Sequence, residues 1–155
     1  MRTLVLCVGL ALAPAPGEAV PLAYDLQRDA STVAFATDFG GQTITGAIPL
    51  DAADLVIDFD RLSNCKIAVR LNAARADASF PFAAQALKGP TVLDTAAHPQ
   101  MTFVSTSVSP KGKGARVKGN LTIRGVTRPV TMEAQIRRQK GTESGDRSRL
   151  TVQLT

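Results

Sequence analysis

The amino-acid sequence predicts an all-β fold with seven or eight short antiparallel strands and one interrupting helix. The clearest evidence is a two-residue period: Leu121 and Ile123 are apolar between polar neighbours, and a similar alternation runs through residues 126–139. This period is typical of strands that bury one face and expose the other. Because several such runs follow one another between turn residues, the pattern favours a sandwich or an up-and-down barrel.

The N-terminus has the pattern of a secretory signal peptide. Arg2 supplies a positive charge, residues 3–13 form an apolar run, and the segment ends at Ala19 with small residues suited to cleavage. This run is shorter than the roughly 20 apolar residues that a bilayer-spanning helix needs. We therefore expect residues 1–19 to be removed and residues 20–155 to be exported as one domain.

Four strand-like runs come next and form two predicted hairpins. The runs are residues 31–37, 43–50, 53–59 and 63–71. A Gly-Gly-Gln turn at residues 40–42 joins the first pair, and a tight connection at residues 60–62 joins the second. Apolar side chains alternate along the runs, so one face is expected to be buried, with the carboxylates of Asp54 and Asp58 on the outer face.

Residues 72–99 interrupt this alternation and contain the predicted helix. Pro81 and Gly89 match the residue types that favour the beginning and the end of a helix. Strands then resume in four runs, at residues 100–108, 115–123, 126–139 and 147–155. Turns are predicted at residues 110–114 and at Gly125.

The formal net charge is +5, and much of the excess lies between Lys111 and Arg149. Arg116 and Lys118 fall on the polar phase of their predicted strand, so a solvated outer face accounts for them. Nucleic-acid binding is not expected, because aromatic residues are not interleaved with the basic ones. A transient contact with anionic membrane surfaces is the alternative that an exported basic protein leaves open.

The sequence gives little support for catalysis or for a metal site. His98 is the only histidine and no Gly-x-Ser-x-Gly motif accompanies it, so we interpret it as a loop residue that positions a turn. Once Cys7 leaves with the signal, Cys65 has no disulfide partner and is interpreted as a small buried hydrophobe. Asp54 and Asp58 lack the glycine-anchored loop of calcium sites. We expect no enzyme activity, metal or cofactor, and a hydrolase that uses His98 is the weakest alternative.

The apolar positions of the strands and the helix are the candidate lining of a lipid site or of a packed core. They are Val33, Phe35, Ile44, Ile48, Leu55, Ile57, Phe59, Ile67, Val69, Phe80, Phe82, Leu87, Met101, Phe103, Leu121, Ile123, Val130 and Met132, with Val117 and Ile136 as further inward positions. Phe80, Phe82 and Leu87 are expected to close one end of a barrel. A barrel of about eight strands is either filled by side chains or able to hold one small ligand, and the pattern fits both. The small residues that favour unfilled volume are Gly46, Ala47, Ala68 and Gly119.

Four segments together carry a family resemblance. They are residues 93–94 (Leu-Asp), 98–99 (His-Pro), the strand that contains Phe103, and residues 119–130 (Gly-Asn-Leu-Thr-Ile-Arg-Gly-Val-Thr-Arg-Pro-Val). In this combination the chain resembles the YceI family of periplasmic lipid-binding proteins. The resemblance implies a lipocalin-like extended antiparallel β-barrel with a helix near one end. It also implies a periplasmic location, an apolar channel that holds a polyisoprenoid or other long-chain lipid, and no catalytic residues.

Two features depart from the pattern of the family. Residues 38–41 form a short Gly-rich hairpin where many relatives have a histidine-containing stretch, so the resemblance implies no particular head-group contact there. The sequence stops at Thr155 as a strand begins, whereas the family pattern continues, so we expect the C-terminal strands of the domain to be missing. The functional prediction is a carrier or sequestering protein for an isoprenoid-type lipid. The alternative is a solidly packed periplasmic stress or structural barrel without a ligand.

Overall fold

A computed structural model of the chain describes residues 21–39, 41–138, 143 and 146–155. The predicted signal peptide, including Cys7, lies outside these residues. The described residues form nine strands: β1 (Leu22–Tyr24), β2 (Thr32–Phe39), β3 (Gln42–Ile57), β4 (Lys66–Asn72), β5 (Asp77–Ala78), β6 (Gln100–Lys111), β7 (Gly114–Ile123), β8 (Val126–Arg138) and β9 (Leu150–Leu154). One helix, α1, is Pro81–Lys88, and short 3₁₀ turns lie at Arg28–Ala30, Leu62–Asn64 and Ala73–Arg75.

All strand pairings are antiparallel, and the sheet has the order β1-β3-β4-β6-β7-β8-β9. β2 and β5 pair with the first half of β3. The sheet is strongly curled into a half-barrel. The predicted all-β class with one helix is therefore confirmed, although within the described residues β1 and β9, at the two ends of the sheet, do not pair with each other.

β3 is one strand where the sequence pattern predicts two. Its first half pairs with β2 and its second half pairs with β1 and β4. A β-bulge between Leu50 and Ala52 joins the two halves. The extra residue shifts the alternation by one position and bends the strand, so that one continuous strand has the pattern of two runs. β1 and β5 are not predicted at all, because three and two residues are too few to show a period.

The helix α1 begins and ends where its residue types predict. Pro81 is its first residue, and Gly89 follows Lys88 as the C-cap. The chain then folds back, and the backbone N–H of Leu93 donates to the carbonyl of Leu87 at 3.0 Å. Both leucines belong to an apolar cluster against the sheet, so α1 lies at one end of the half-barrel.

The turn between β7 and β8 lies at the predicted Gly125. Arg124 and Gly125 have φ values of 51° and 71°, and Ile123 is paired with Val126. Positive φ at both central residues is the geometry of a type I′ turn, which matches the twist of the flanking strands. The imidazole of His98 lies against Gly125, where a Cβ atom would come within 3.1 Å of its Cε1. This contact supports the interpretation of His98 as a residue that positions the turn.

The core consists of two buried clusters on one face of the sheet. The helix-side cluster is Ile48, Leu71, Ala73, Ala76, Leu93 and Met101. The hairpin-side cluster is Ile67, Phe103, Val108, Val117 and Ala134. Val69 packs against both clusters, so the core is continuous.

Asp58 is buried, and the prediction that it lies on the solvated outer face is wrong. It follows β3 directly and is 2% exposed. Its Oδ1 accepts hydrogen bonds from the backbone N–H groups of Asp60 at 3.0 Å and Arg61 at 2.7 Å, and its Oδ2 accepts one from the Asn64 side chain at 2.8 Å. The carboxylate thus organises the connection to β4. Cys65, half-buried beside it, accepts a hydrogen bond from the Asp58 N–H at 3.3 Å.

These hydrogen bonds give Asp58 a pH-dependent role in stability. The bond from the Asn64 side chain, followed by that from the Arg61 backbone, lowers the pKa of Asp58 below its ordinary value. Such a carboxyl stabilises the fold fully above its unfolded-state pKa of about 3.9, and the contribution is lost as the pH falls through the lower, folded-state pKa. We expect Asp58→Asn to lower the thermal midpoint at pH 7 and to make it less sensitive to acid, as measured by circular dichroism. Asp54→Asn, at an exposed position, is the control, and identical acid sensitivity in D58N and the unmodified chain would contradict this role.

Candidate ligand-binding face

The strand register assigns each side chain to one of two faces, because residues paired across an antiparallel sheet lie on the same side. Val33 is paired with Ile48, and Val117 with Met132. We call the side that carries the two buried clusters the concave face. Its strand positions are predominantly apolar from β2 to β9.

Most of the predicted lining residues lie on the concave face. They are Val33, Phe35, Ile44, Ile48, Leu55, Ile57, Ile67, Val69, Met101, Phe103, Leu121, Ile123, Val130 and Met132. The alternation therefore has the correct phase in these strands. Contact of these residues with a ligand remains a prediction.

The other predicted lining residues lie outside the strands. Leu87 packs against the helix-side cluster. Phe80 is 48% exposed and Phe82 is 84% exposed. The predicted closing of this end by three side chains therefore does not hold for Phe82, which projects into solvent from the first turn of α1. Phe59 lies beyond β3, in contact with Arg147.

Two glycines of the concave face are covered by phenylalanine rings. A Cβ atom on Gly46 would lie 2.3 Å from Cζ of Phe35, and one on Gly119 would lie 2.4 Å from Cζ of Phe103. Each ring thus lies over the backbone of a neighbouring strand, which only glycine permits. The expectation that these glycines leave unfilled volume is wrong, because the rings occupy it. The other small residues in that expectation lie on the outer face: Ala47 and Ala68.

The concave face is only partly covered. Val33 and Ile136, in β2 and β8, are 38% and 39% exposed. A cleft of about 310 Å³ is lined by Lys111 and Glu133 among others, and one of about 350 Å³ is lined by residues that include Arg75. Both clefts are largely polar, and neither encloses the apolar surface. The described residues thus form an open apolar trough, whereas the resemblance implies an enclosed channel.

Arg147 connects the two ends of the sheet. Its backbone carbonyl accepts a hydrogen bond from the Tyr24 hydroxyl of β1 at 2.8 Å, and Arg147 itself lies just before β9. Its guanidinium carbon is 4.3 Å from the ring centroid of Phe59, a cation–π contact. Burial raises the pKa of Tyr24, and the positive charge of Arg147 partly opposes this shift. These contacts bring together sheet ends that share no backbone ladder.

The described residues give little support for a metal site, a catalytic site or a membrane-spanning helix. They contain no group of three or more His, Cys, Asp or Glu side chains that could hold a metal ion. In the same residues, no hydrogen bond joins the imidazole of His98 to a serine, and none of the helices is long and apolar enough to cross a membrane. The concave face is the candidate site on its own evidence, namely its continuous apolar surface and its partial exposure.

Among the residues whose side chains the structure describes, one charged residue of the concave face is missing from the sequence-based lining. Arg128 is paired with Leu121, so its side chain leaves the sheet on the concave side. It is exposed. The two-residue period counted back from Val130 places Arg128 on this face, and this is the signal that identifies it.

Comparison with known proteins agrees with this architecture. A family model described as "YceI-like domain" matches residues 24–155. A 71-residue stretch is 39% identical to Protein YceI of Escherichia coli O157:H7 and covers 46% of this chain and 37% of that protein. A UPF0312 protein of Yersinia pestis (strain Pestoides F) is 41% identical with the same coverage. The match thus spans well under half the length of these curated relatives.

Two solved structures share the fold at low sequence identity. Burkholderia cenocepacia BcnA aligns with a TM-score of 0.60 and 23% identity, covering 68% of this chain and 67% of that one. The Campylobacter jejuni YCEI protein aligns with a TM-score of 0.54 and 21% identity, covering 84% and 76%. These likenesses show the curled antiparallel sheet and its helix.

Proposed function

This chain belongs to the YceI-like domain family, and from this premise we propose that it binds and carries, or sequesters, a long-chain isoprenoid-type lipid in the periplasm. The lipid chain lies along the concave face. The observation that supports the proposal most directly is that apolar side chains such as Val33 and Ile136 stay partly exposed on a continuous apolar surface. A hydrocarbon chain would remove them from water, which is favourable.

The hydrophobic effect supplies enough free energy for such binding. Burial of one methylene is worth about 0.8 kcal/mol, so ten chain carbons contribute about 8 kcal/mol before the cost of ordering the chain. A net value of about 8 kcal/mol corresponds to micromolar affinity. A longer chain offsets the ordering cost, and the length and shape of the trough then select the ligand.

A lipid carrier in the periplasm has to take its ligand from a bilayer, so the proposal includes a transient contact with the membrane surface. Phe80 and Phe82 supply an exposed aromatic pair at the start of α1, of the kind that marks interaction sites. The signal-like pattern of residues 1–19 supports export.

The alternative function, a solidly packed stress or structural protein, has its own supporting observation. Val117 is completely buried, and the rings of Phe35 and Phe103 cover the glycines beneath them. Part of the concave face is therefore filled by the protein itself. The two functions differ in whether the remaining trough binds a lipid.

Extraction of the protein after production with its own N-terminus in a Gram-negative host separates the two functions. We expect organic extraction followed by mass spectrometry to yield a long-chain lipid close to one molecule per protein molecule. The control is the double variant Val33→Glu, Ile136→Glu prepared in parallel, which is expected to retain far less. An extract with no chain lipid above that control would contradict the proposal and favour the packed protein.

A further inference from the structure

Exposed apolar side chains are concentrated at the end of the half-barrel that carries α1. Phe80 and Phe82 lie at the start of the helix, Val92 lies in the segment after it, and Val126 is the first residue of β8. Val92 and Val126 are 47% and 55% exposed. Single exposed apolar residues are ordinary, whereas a group of them marks an interaction site. We call these four residues the α1-end patch.

Hydrogen bonds connect the segments that carry the patch. The segment after α1 folds back on the helix, because the N–H of Leu93, next to Val92, donates to the Leu87 carbonyl. The guanidinium of Arg124, in the β7–β8 turn, donates to the carbonyl of Thr91 at 3.5 Å. The turn that precedes β8 thus lies against the segment after α1, and the patch occupies one end of the molecule.

The patch continues onto the concave face. Val126 is paired with Ile123, so both side chains leave the sheet on the concave side. Ile123 in turn packs against the helix-side cluster. Val126 therefore belongs both to the patch and to the end of the apolar trough.

Positive charge borders the patch. Lys88 is the last residue of α1, and Arg124 lies in the β7–β8 turn. Asp94 is the only carboxylate in residues 78–132, a stretch with seven lysines and arginines. In the part of the chain that the structure describes, no ion pair joins Asp94 to either cation. An apolar group bordered by cations matches the surface of an anionic bilayer, which offers both hydrocarbon and negative charge.

The same charges argue against a second copy of this chain as the partner. In a symmetric pair, each patch would meet the identical patch of the other copy. Lys88 and Arg124 of one copy would then lie close to the same cations of the other, and like charges in contact are unfavourable.

We propose that the α1-end patch docks on an anionic bilayer, and that the lipid of the concave face is exchanged during this contact. This inference rests on the proposed function and names the partner surface and the route of exchange. Phe80 and Phe82 enter the boundary between head groups and acyl chains, while Lys88 and Arg124 lie over the anionic surface. Because Val126 joins the patch to the trough, the lipid chain passes from one to the other with little exposure to water, which would be unfavourable.

Co-sedimentation with vesicles tests the docking surface independently of lipid binding in the trough. The vesicles are phosphatidylcholine with about one third phosphatidylglycerol, and the full chain is compared with Phe82→Ser and Val104→Ser. Val104 is 52% exposed on the outer face of β6, so V104S is the matched loss of an exposed apolar side chain. We expect F82S to bind about tenfold more weakly and V104S to bind within about twofold of the unmodified chain. No binding by the unmodified chain, undiminished binding by F82S, or equal weakening in V104S would overturn the docking surface.

Two double variants test the charges. Lys88→Gln, Arg124→Gln removes the cations beside the patch, and Arg116→Gln, Lys118→Gln removes two exposed cations from the outer face of β7. The unmodified chain and the outer-face variant are expected to bind anionic vesicles at least about tenfold more tightly than pure phosphatidylcholine vesicles, and the patch variant only about twofold more tightly. An undiminished preference in the patch variant would overturn the role of its cations.

The same proteins are also measured without vesicles. Circular dichroism verifies that each variant is folded, and sedimentation equilibrium gives the mass in solution. A dimer of the unmodified chain that F82S dissociates would assign the patch to a second copy and overturn the membrane as its partner.

Transfer of a fluorescent long-chain fatty acid from the protein to acceptor vesicles tests the route of exchange. We expect the transfer rate to rise in proportion to the vesicle concentration and to be about tenfold lower in F82S, with the same affinity for the fatty acid in solution. A rate independent of vesicle concentration would overturn exchange during contact, since release into water would then limit transfer. Failure of the unmodified chain to bind the fatty acid would instead count against the proposed function, and co-sedimentation would still decide whether the patch docks.

Discussion

Replacing Gly119 with alanine is expected to lower the free energy of unfolding by about 2–3 kcal/mol, although it adds a single methyl group. The new Cβ would lie 2.4 Å from Cζ of Phe103 and 2.5 Å from the backbone carbonyl oxygen of Val104. The ring can turn away only by leaving a core position where it is 5% exposed, and the carbonyl belongs to the β6–β7 ladder. Urea denaturation followed by circular dichroism measures the effect.

Two further variants establish the cause of this loss. Asn120→Ala changes the adjacent, exposed residue of the same strand and is expected to be nearly neutral. The double variant Gly119→Ala, Phe103→Leu removes the ring contact and leaves the carbonyl contact, so the two substitutions are expected to cost less together than the sum of their separate costs. Strict additivity would show that the ring is not what excludes the methyl group.

Replacing Ile136 with glutamate is expected to weaken the binding of a long-chain lipid about 100-fold, because a carboxylate on the concave face must either lose water or hold the chain away. Ile136 is 39% exposed, so the substitution leaves the buried clusters unchanged. Binding is measured by competition with a fluorescent fatty acid. The stability of the variant is measured in parallel.

The adjacent residue provides the matched control. Gln135 is exposed, and its register pairing with Gln153 places it on the outer face, so Gln135→Glu adds the same charge one residue away. This variant is expected to bind within about twofold of the unmodified chain, since an exposed charge on the far side of a sheet is largely screened. Equal weakening in both variants would show a general charge effect, and undiminished binding in I136E would place the lipid elsewhere.

The sequence identifies the concave face because burial imposes a period of two on it. The phase of Val33, Leu121 and Met132 follows from neighbouring residues alone, and the helix follows from Pro81 and Gly89, since these residue types act on the local backbone. The family resemblance supplies what the period does not contain, namely the choice between a sandwich and a barrel.

Features that depend on residues distant in the chain are not predictable in this way. The bulge after Leu50 gives one strand the sequence pattern of two. The burial of Asp58 depends on a hydrogen bond that the Asn64 side chain donates to it across the connection. The rings over Gly46 and Gly119 require knowledge of which strands are neighbours. Arg128 has the correct phase, but a search for apolar residues passes over a charged one.

The position of Arg147 has a consequence for how the protein could diversify. The width of the trough depends in part on the side chain and the backbone carbonyl of Arg147, which belong to neither buried cluster. Substitutions at Arg147 or Tyr24 could therefore widen or narrow the trough for larger or smaller ligands without disturbing the packing of the two buried clusters. The size of the ligand that the trough accepts and the stability of the fold would then evolve independently.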